Sequence, residues 1–177
     1  MRGWALYTRP RQSGNPGGTL DEAQQLFERA LEMEPESVDA QVGIAWMLDE
    51  RVANGLSKTR EQDLQRADQL LDEAYDRDRN DIRAVTEVGR LRRLQGHLVE
   101  SGIELERALS LNPNNSYAIS YAGITNLFLG RPDAALPELP RFARAGRSGI
   151  GAEQKLTLGI GRFRFCPKAA HDEFGWS

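Results

Sequence analysis

Apolar side chains recur at Leu20, Ala23, Phe27, Ala30 and Leu31, while Glu28, Arg29, Glu32 and Glu34 point the other way. Steps of three and four residues are the period of an amphipathic helix. Thr19 or Asp21 is placed to cap its start and Pro35 to close it. A second helix is predicted after Ser37, read as its cap, with Val42, Ile44, Ala45 and Leu48 apolar. After residues 53–62 a further amphipathic helix covers LQRADQLLDEAYDRD, and Asn80 follows it. Residues 85–114 predict two more helices, broken at Gly96 and closed at Pro113. Ser116 is placed to cap another, which Gly130 ends through a left-handed backbone. Pro132 suits a first helical position, whereas Pro137 and Pro140 predict a short or kinked helix with Leu136 and Leu139 inward. Ahead of all these, Trp4, Leu6 and Tyr7 predict a short first helix over 1–9, followed by a Gly- and Pro-rich loop.

The same residues recur at long range. Gly89 and Gly96 return 34 positions later as Gly123 and Gly130, and Leu105 as Leu139. Shifted back by 34, Leu105 and Ala108 fall on Leu71 and Ala74. Such a period, with two amphipathic helices per unit, predicts a helical solenoid: small residues let helices approach, a bulky one wedges between them, and proline ends the unit. Ala45 occupies the register position of Gly89 and Gly123. Ala23 to Ala67, Phe27 to Leu71 and Ala30 to Ala74 differ by 44 instead. All three intervals imply an insertion of about ten residues around 51–66, expected in an exposed loop or as extra helical turns.

This pattern, seen best in Ala23, Phe27, Ala30 and Pro35, resembles the tetratricopeptide repeat family. The resemblance implies an all-α fold: helical hairpins stacked as a right-handed superhelix of about three and a half repeats over residues 1–146, then an irregular tail over 147–177. It also implies a non-catalytic protein–protein interaction module that holds a peptide or a partner's helix in a concave groove lined by the first helix of each unit. Carried over by register, the groove residues are Asp39, Gly43, Trp46 and Asp49, then Arg83, Thr86, Glu87, Arg90 and Arg93, then Tyr117, Ser120, Tyr121 and Ile124. The strongest candidates are Asp39, Trp46, Arg83, Glu87, Arg90, Tyr117 and Tyr121. Arg83 and Arg90 could grip a carboxylate in two-point fashion, with Tyr117 and Tyr121 as walls that bury area at little entropic cost. The lysine-and-asparagine clamp of chaperone-binding members is not matched. Residues 2–9, the EAQQLFERALEMEP stretch and VDAQVGIAWML also look like repeat regions attached to bacterial class III nucleotide cyclases and some winged-helix regulators. That likeness implies a regulatory fragment of a signalling protein as the alternative.

Composition narrows the chemistry. A formal net charge of -3 over 177 residues argues against general nucleic-acid binding, which needs a basic surface. A single cysteine, Cys166, leaves no internal disulfide and no cysteine-based zinc cluster. No apolar run is long enough to span a bilayer, and the start lacks a secretory signal's apolar core, so a cytoplasmic location is expected. No cofactor and no metal are expected. His97 follows a turn glycine, Cys166 and His171 lack a rigidly held acidic partner, the Gly149–Gly151 and Gly159–Gly161 pairs lack a third glycine, and Asp72–Glu73 are helix-surface charges. Self-association through the C-terminal end is a further possibility.

Overall fold

A computed structural model describes residues 16–135, and among them every element is a helix. These are α1 (Pro16–Met33), α2 (Val38–Ala53), α3 (Arg60–Arg77), α4 (Ile82–Gln95), α5 (Leu98–Leu111), α6 (Ser116–Phe128) and the single turn α7 (Pro132–Ala135). The helix expected over 1–9, the inward Leu136 and Leu139, the prolines after them and the tail over 147–177 lie outside the described residues. No described helix is long and apolar enough to cross a membrane.

The helix ends show which residues stop and start each element. Asp81 and Asn115 cap α4 and α6: the Asp81 carboxylate accepts from the amides of Arg83 and Ala84 at 2.9 and 3.0 Å. The Asn115 side-chain oxygen accepts from Tyr117 and Ala118 at 3.0 and 3.1 Å. Ser116 is therefore the first helical residue and not the cap. Ser37 does stand at the N-cap of α2, yet its hydroxyl accepts no capping bond. Thr19 and Asp21 lie inside α1, which starts earlier than the caps suggested. Gly96 and Gly130 close their helices with φ of 91° and 68°, a region closed to most side chains.

The helices pack as successive hairpins, α2 with α3, α4 with α5 and α6 with α7. Each hairpin docks through its second helix on the first helix of the next, α3 on α4 and α5 on α6. α1 docks on α2 in the same way. One apolar cluster runs from Leu20 and Phe27 through Ile44, Met47, Leu71 and Leu91 to Leu105 and Tyr121. A smaller one of Val85, Ala108 and Ala118 seals the α4–α5–α6 junction. This is the helical-hairpin solenoid the period implied.

Two glycines set the closest approaches. A Cβ on Gly89 would stand 2.7 Å from Leu105 Cγ, so the wedge and the small residue meet as the repeat predicted. The second contact differs from the register reading. Gly43, expected to line the groove, instead takes the Phe27 ring of α1, where an added Cβ would sit 2.5 Å from the ring carbons. Gly43 thus belongs to the interface between helices.

The long 44-residue interval has a simple origin. Compared with α4 and α5, at 14 residues each, α2 and α3 run to 16 and 18. Their connecting loop covers 54–59, against 96–97 in the following hairpin. The additional residues therefore lengthen both helices and the turn between them. They also find partners: the Arg60 guanidinium donates to the Leu94 carbonyl at 2.7 Å, at an α4 terminus where backbone carbonyls lack helical partners.

Candidate functional site

α2, α4 and α6 are the first helices of their hairpins, and α4 touches both of the others directly. All seven strongest candidates lie on these three helices, and side-chain contacts join them into two sets. The first is an ion pair between Arg83 and Asp39, across α4 and α2, extended by Arg83 to Asp81 at 2.7 Å. The Arg83 and Asp39 side chains are 43% and 39% exposed, so the pair sits at the rim. Burial tends to raise the Asp81 carboxyl, but hydrogen bonds from Arg83 and from the Ala84 amide outweigh it and hold the group below its ordinary value.

The second set is central. Trp46 of α2 meets Tyr117 of α6 edge to face, ring centres 4.8 Å apart at 85°, the orientation aromatic quadrupoles prefer. Tyr121 lies 6.4 Å from both rings. The Arg90 guanidinium sits between the aromatics, 5.3 Å from the Trp46 ring and 5.4 Å from the Tyr121 ring, within cation–π range. It also donates to Glu50 at 3.0 Å and to Glu87 at 3.1 Å. Burial works against the Arg90 charge, yet Tyr121, Glu87, Glu50 and Asp49 prevail and push its pKa well above the ordinary value.

The exposed groove surface implied by the resemblance is therefore mostly a packed polar layer. Trp46, Glu87, Arg90 and Tyr121 are buried, none above 6% exposed, whereas Tyr117 is 38% exposed. Thr86 and Ser120 are buried as well; the Thr86 hydroxyl donates to the Ile82 carbonyl at 2.6 Å. The physical reason is the close packing of α2, α4 and α6: helices this near cannot leave long side chains free between them. Both arginines expected to grip a ligand already hold carboxylates of this chain. Glu50 joins the cluster without having been singled out. Its signal was an acidic residue one helical turn beyond Trp46, on a helix otherwise buried from Ala40 to Glu50.

Asp49 and Arg93 complete the layer. Asp49 is wholly buried, and neither carboxyl oxygen accepts a hydrogen bond from an N–H or hydroxyl donor. Burial first, then the neighbouring Glu87 charge, raises its pKa well above the ordinary aspartate value. Arg93 is half-buried, 5.9 Å from the Tyr121 ring, and among the described residues forms no ion pair. Burial and the charge of Arg90 lower its pKa.

Elsewhere the chemistry is thin. Among the described residues no three His, Cys, Asp or Glu are grouped to hold a metal. His97 is mostly exposed beside Glu100. A shallow cavity of about 310 Å³ between α3, α4 and α5 is lined by Asp72, Glu100, Glu104 and Arg92 around Tyr75 and Ile103. Burial is the main cause that raises both Asp72 and Glu104.

No family model matches the chain, and no curated protein matches it. Solved structures do. A thermophilic TPR protein of Thermus thermophilus, TTC0263, is 18% identical at a TM-score of 0.55, the match covering 90% of this chain and 95% of that one. The crystal structure of MamA is 18% identical at a TM-score of 0.54, over 84% of this chain and 85% of that one. A further MamA structure, MSR-1, is 16% identical at 0.51, over 74% and 70%. These likenesses show the fold, a helical-hairpin solenoid of the kind found in tetratricopeptide proteins.

Proposed function

We propose that the chain is a non-catalytic protein-interaction module that receives an extended segment or helix of a partner along the joined face of α2, α4 and α6. The observation that carries this reading is the aromatic and arginine composition of that face. Trp46 of α2 and Tyr121 of α6 flank Arg90 of α4, and Tyr117 packs edge to face on Trp46; Trp, Tyr and Arg are the residues that dominate binding energy at protein interfaces. Tyr117 offers the accessible ring, and the Asp39–Arg83 pair supplies exposed charge near the starts of α2 and α4. Glu87 and Arg90 act from beneath, holding the rings in place. In this reading a partner's carboxylate reaches Arg83 by exchanging with Asp39, since Arg90 is enclosed. The protein works without a cofactor, and its partner is a polypeptide, not nucleic acid or membrane.

The test is site-specific photo-crosslinking in the native organism. A photoreactive residue at Tyr117 should capture one partner, while the same group at exposed Ile103, on α5, should not. Affinity of that partner should then fall about tenfold for Tyr117→Ala, as for a typical interface anchor, and also for Arg83→Glu. Capture from Ile103 alone, or unchanged affinity in both variants, overturns the reading. The alternative, a regulatory fragment of a cyclase or winged-helix regulator, rests on the likeness of residues 2–9 and the two helices that follow. A cyclase or DNA-binding domain in the adjoining reading frame would favour it.

A further inference from the structure

The buried layer holds three carboxyls, Asp49, Glu50 and Glu87, and one fully buried guanidinium, Arg90. Arg90 directs one Nη to Glu50 and the other to Glu87, at 3.0 and 3.1 Å. Among the described residues no ion pair remains for Asp49. Its oxygens meet no N–H or hydroxyl donor, and its carboxyl lies against that of Glu87. Two carboxyls in contact away from water are tolerable only when they share a proton, because two adjacent buried anions repel strongly. One turn beyond Arg90 on α4 stands Arg93, a second cation whose charge acts on Asp49. The Arg93 Nε is enclosed and meets no acceptor, and the guanidinium rests near the Tyr121 ring, in no ion pair among the described residues.

We propose that Asp49 is carried in this layer as a neutral carboxylic acid, and that its ionisation draws Arg93 inward onto it and away from the joined face of α2, α4 and α6. The groups that face Asp49 decide the sign. From α4 come Glu87, Arg90 and Arg93; Glu50, next to Asp49 on α2, is paired with Arg90, and Tyr121 of α6 stands against Arg90 and Arg93. The charged groups that α1 and α3 turn toward α2, Asp21 and Glu73, are held by Arg51 and Gln41. Arg90 also acts on Asp49, but its two Nη atoms are fixed on Glu50 and Glu87; Arg93 is the cation near Asp49 that no carboxylate holds among the described residues. In acid Arg93 is presented to the face; in alkali it is withdrawn. The consequence for a partner rests on the reading of that face as the binding groove, but the switch itself does not.

The experiment follows carboxyl and guanidinium resonances of the full chain by NMR across pH, without any partner present. Assignment through the backbone makes it independent of any variant. The Asp49 carboxyl should stay in its protonated position while ordinary aspartates titrate at about 3.9. It should move only at higher pH, and the Arg93 Nε resonance should move at the same midpoint. In Arg93→Gln the Asp49 midpoint should rise further, because an attracting charge is gone. Three results overturn the proposal: Asp49 titrating with the other aspartates, an Arg93 signal indifferent to that midpoint, or loss of helical circular dichroism before Asp49 ionises. Failure of the crosslinking test would leave this titration untouched, so the two readings fail separately.

Discussion

Single side chains here carry more than their share of the fold. Arg90 is enclosed by Trp46 and Tyr121 and bonded to two carboxylates. Arg90→Ala would leave Glu50 and Glu87 buried without their cation, which typically costs about 3–5 kcal/mol; urea unfolding should show the loss. Asp49 gives an opposite kind of prediction. Its folded pKa is raised, so its contribution to stability is complete below 3.8, the unfolded value, and is lost as pH rises through the folded one. Asp49→Asn should flatten this slope and raise the melting temperature on the alkaline side. Thermal melts of both chains at several pH values check it. Asp81 behaves in the reverse sense: its folded value is depressed, so its contribution is present above 3.8 and lost as pH falls through that lowered value. Asp81→Ala should cost about 1 kcal/mol for the lost cap, and Asp81→Asn less, because asparagine caps equally well.

At the scale of elements, the repeat works through pairs of unlike size. Gly89 faces Leu105 so closely that a methyl group cannot enter without displacing it, and the Leu105 backbone nitrogen stands only 3.3 Å from the same point. Overpacking of this kind costs about 1–3 kcal/mol, against roughly 1 kcal/mol returned by alanine's helix propensity. Gly89→Ala is therefore expected to lower stability or leave it level. Gly102, on α5, meets nothing within 4 Å, so Gly102→Ala should gain about 1 kcal/mol from propensity alone. Denaturation of the two variants side by side separates packing from propensity, and a gain in both would remove the wedge from the account. The loop between α2 and α3 makes a related point. Its flanking helices are longer than those of the next hairpin, and Arg60 reaches Leu94, so inserted residues extended the stacking surface without breaking it.

Across the whole molecule the helices form a series in which each docks mainly on its chain neighbours. Stability in such a stack is a sum of local and nearest-neighbour terms. α4 touches α2, α3, α5 and α6, whereas among the described elements α7 has substantial contact with α6 only. Amide exchange should accordingly be slowest in α2 and α4 and fastest toward α7. Uniform protection from α1 to α7 would show a single cooperative block in place of a graded stack.

Much of this was present in the order of residues. The spacing of Leu20, Ala23 and Phe27, the recurrence of Gly89 at Gly123, and the turn glycines Gly96 and Gly130 are local or periodic signals. They determine helices, hairpins and stacking because each acts through its own backbone or its immediate partner. The capping of α6 by Asn115 in place of Ser116 was a one-residue matter, settled by which side chain meets the amides. The fate of the long polar side chains on α2, α4 and α6, by contrast, was settled by how the hairpins stack. Register placed Trp46, Arg90 and Tyr121 on a common face, but nothing in the order of residues says how closely three helices approach. Their contact turned an expected exposed groove into a buried layer in which Arg90 holds Glu50 and Glu87, and Asp49 forms no ion pair among the described residues. Burial and charge pairing depend on separations through space, and those exist only once the hairpins have stacked.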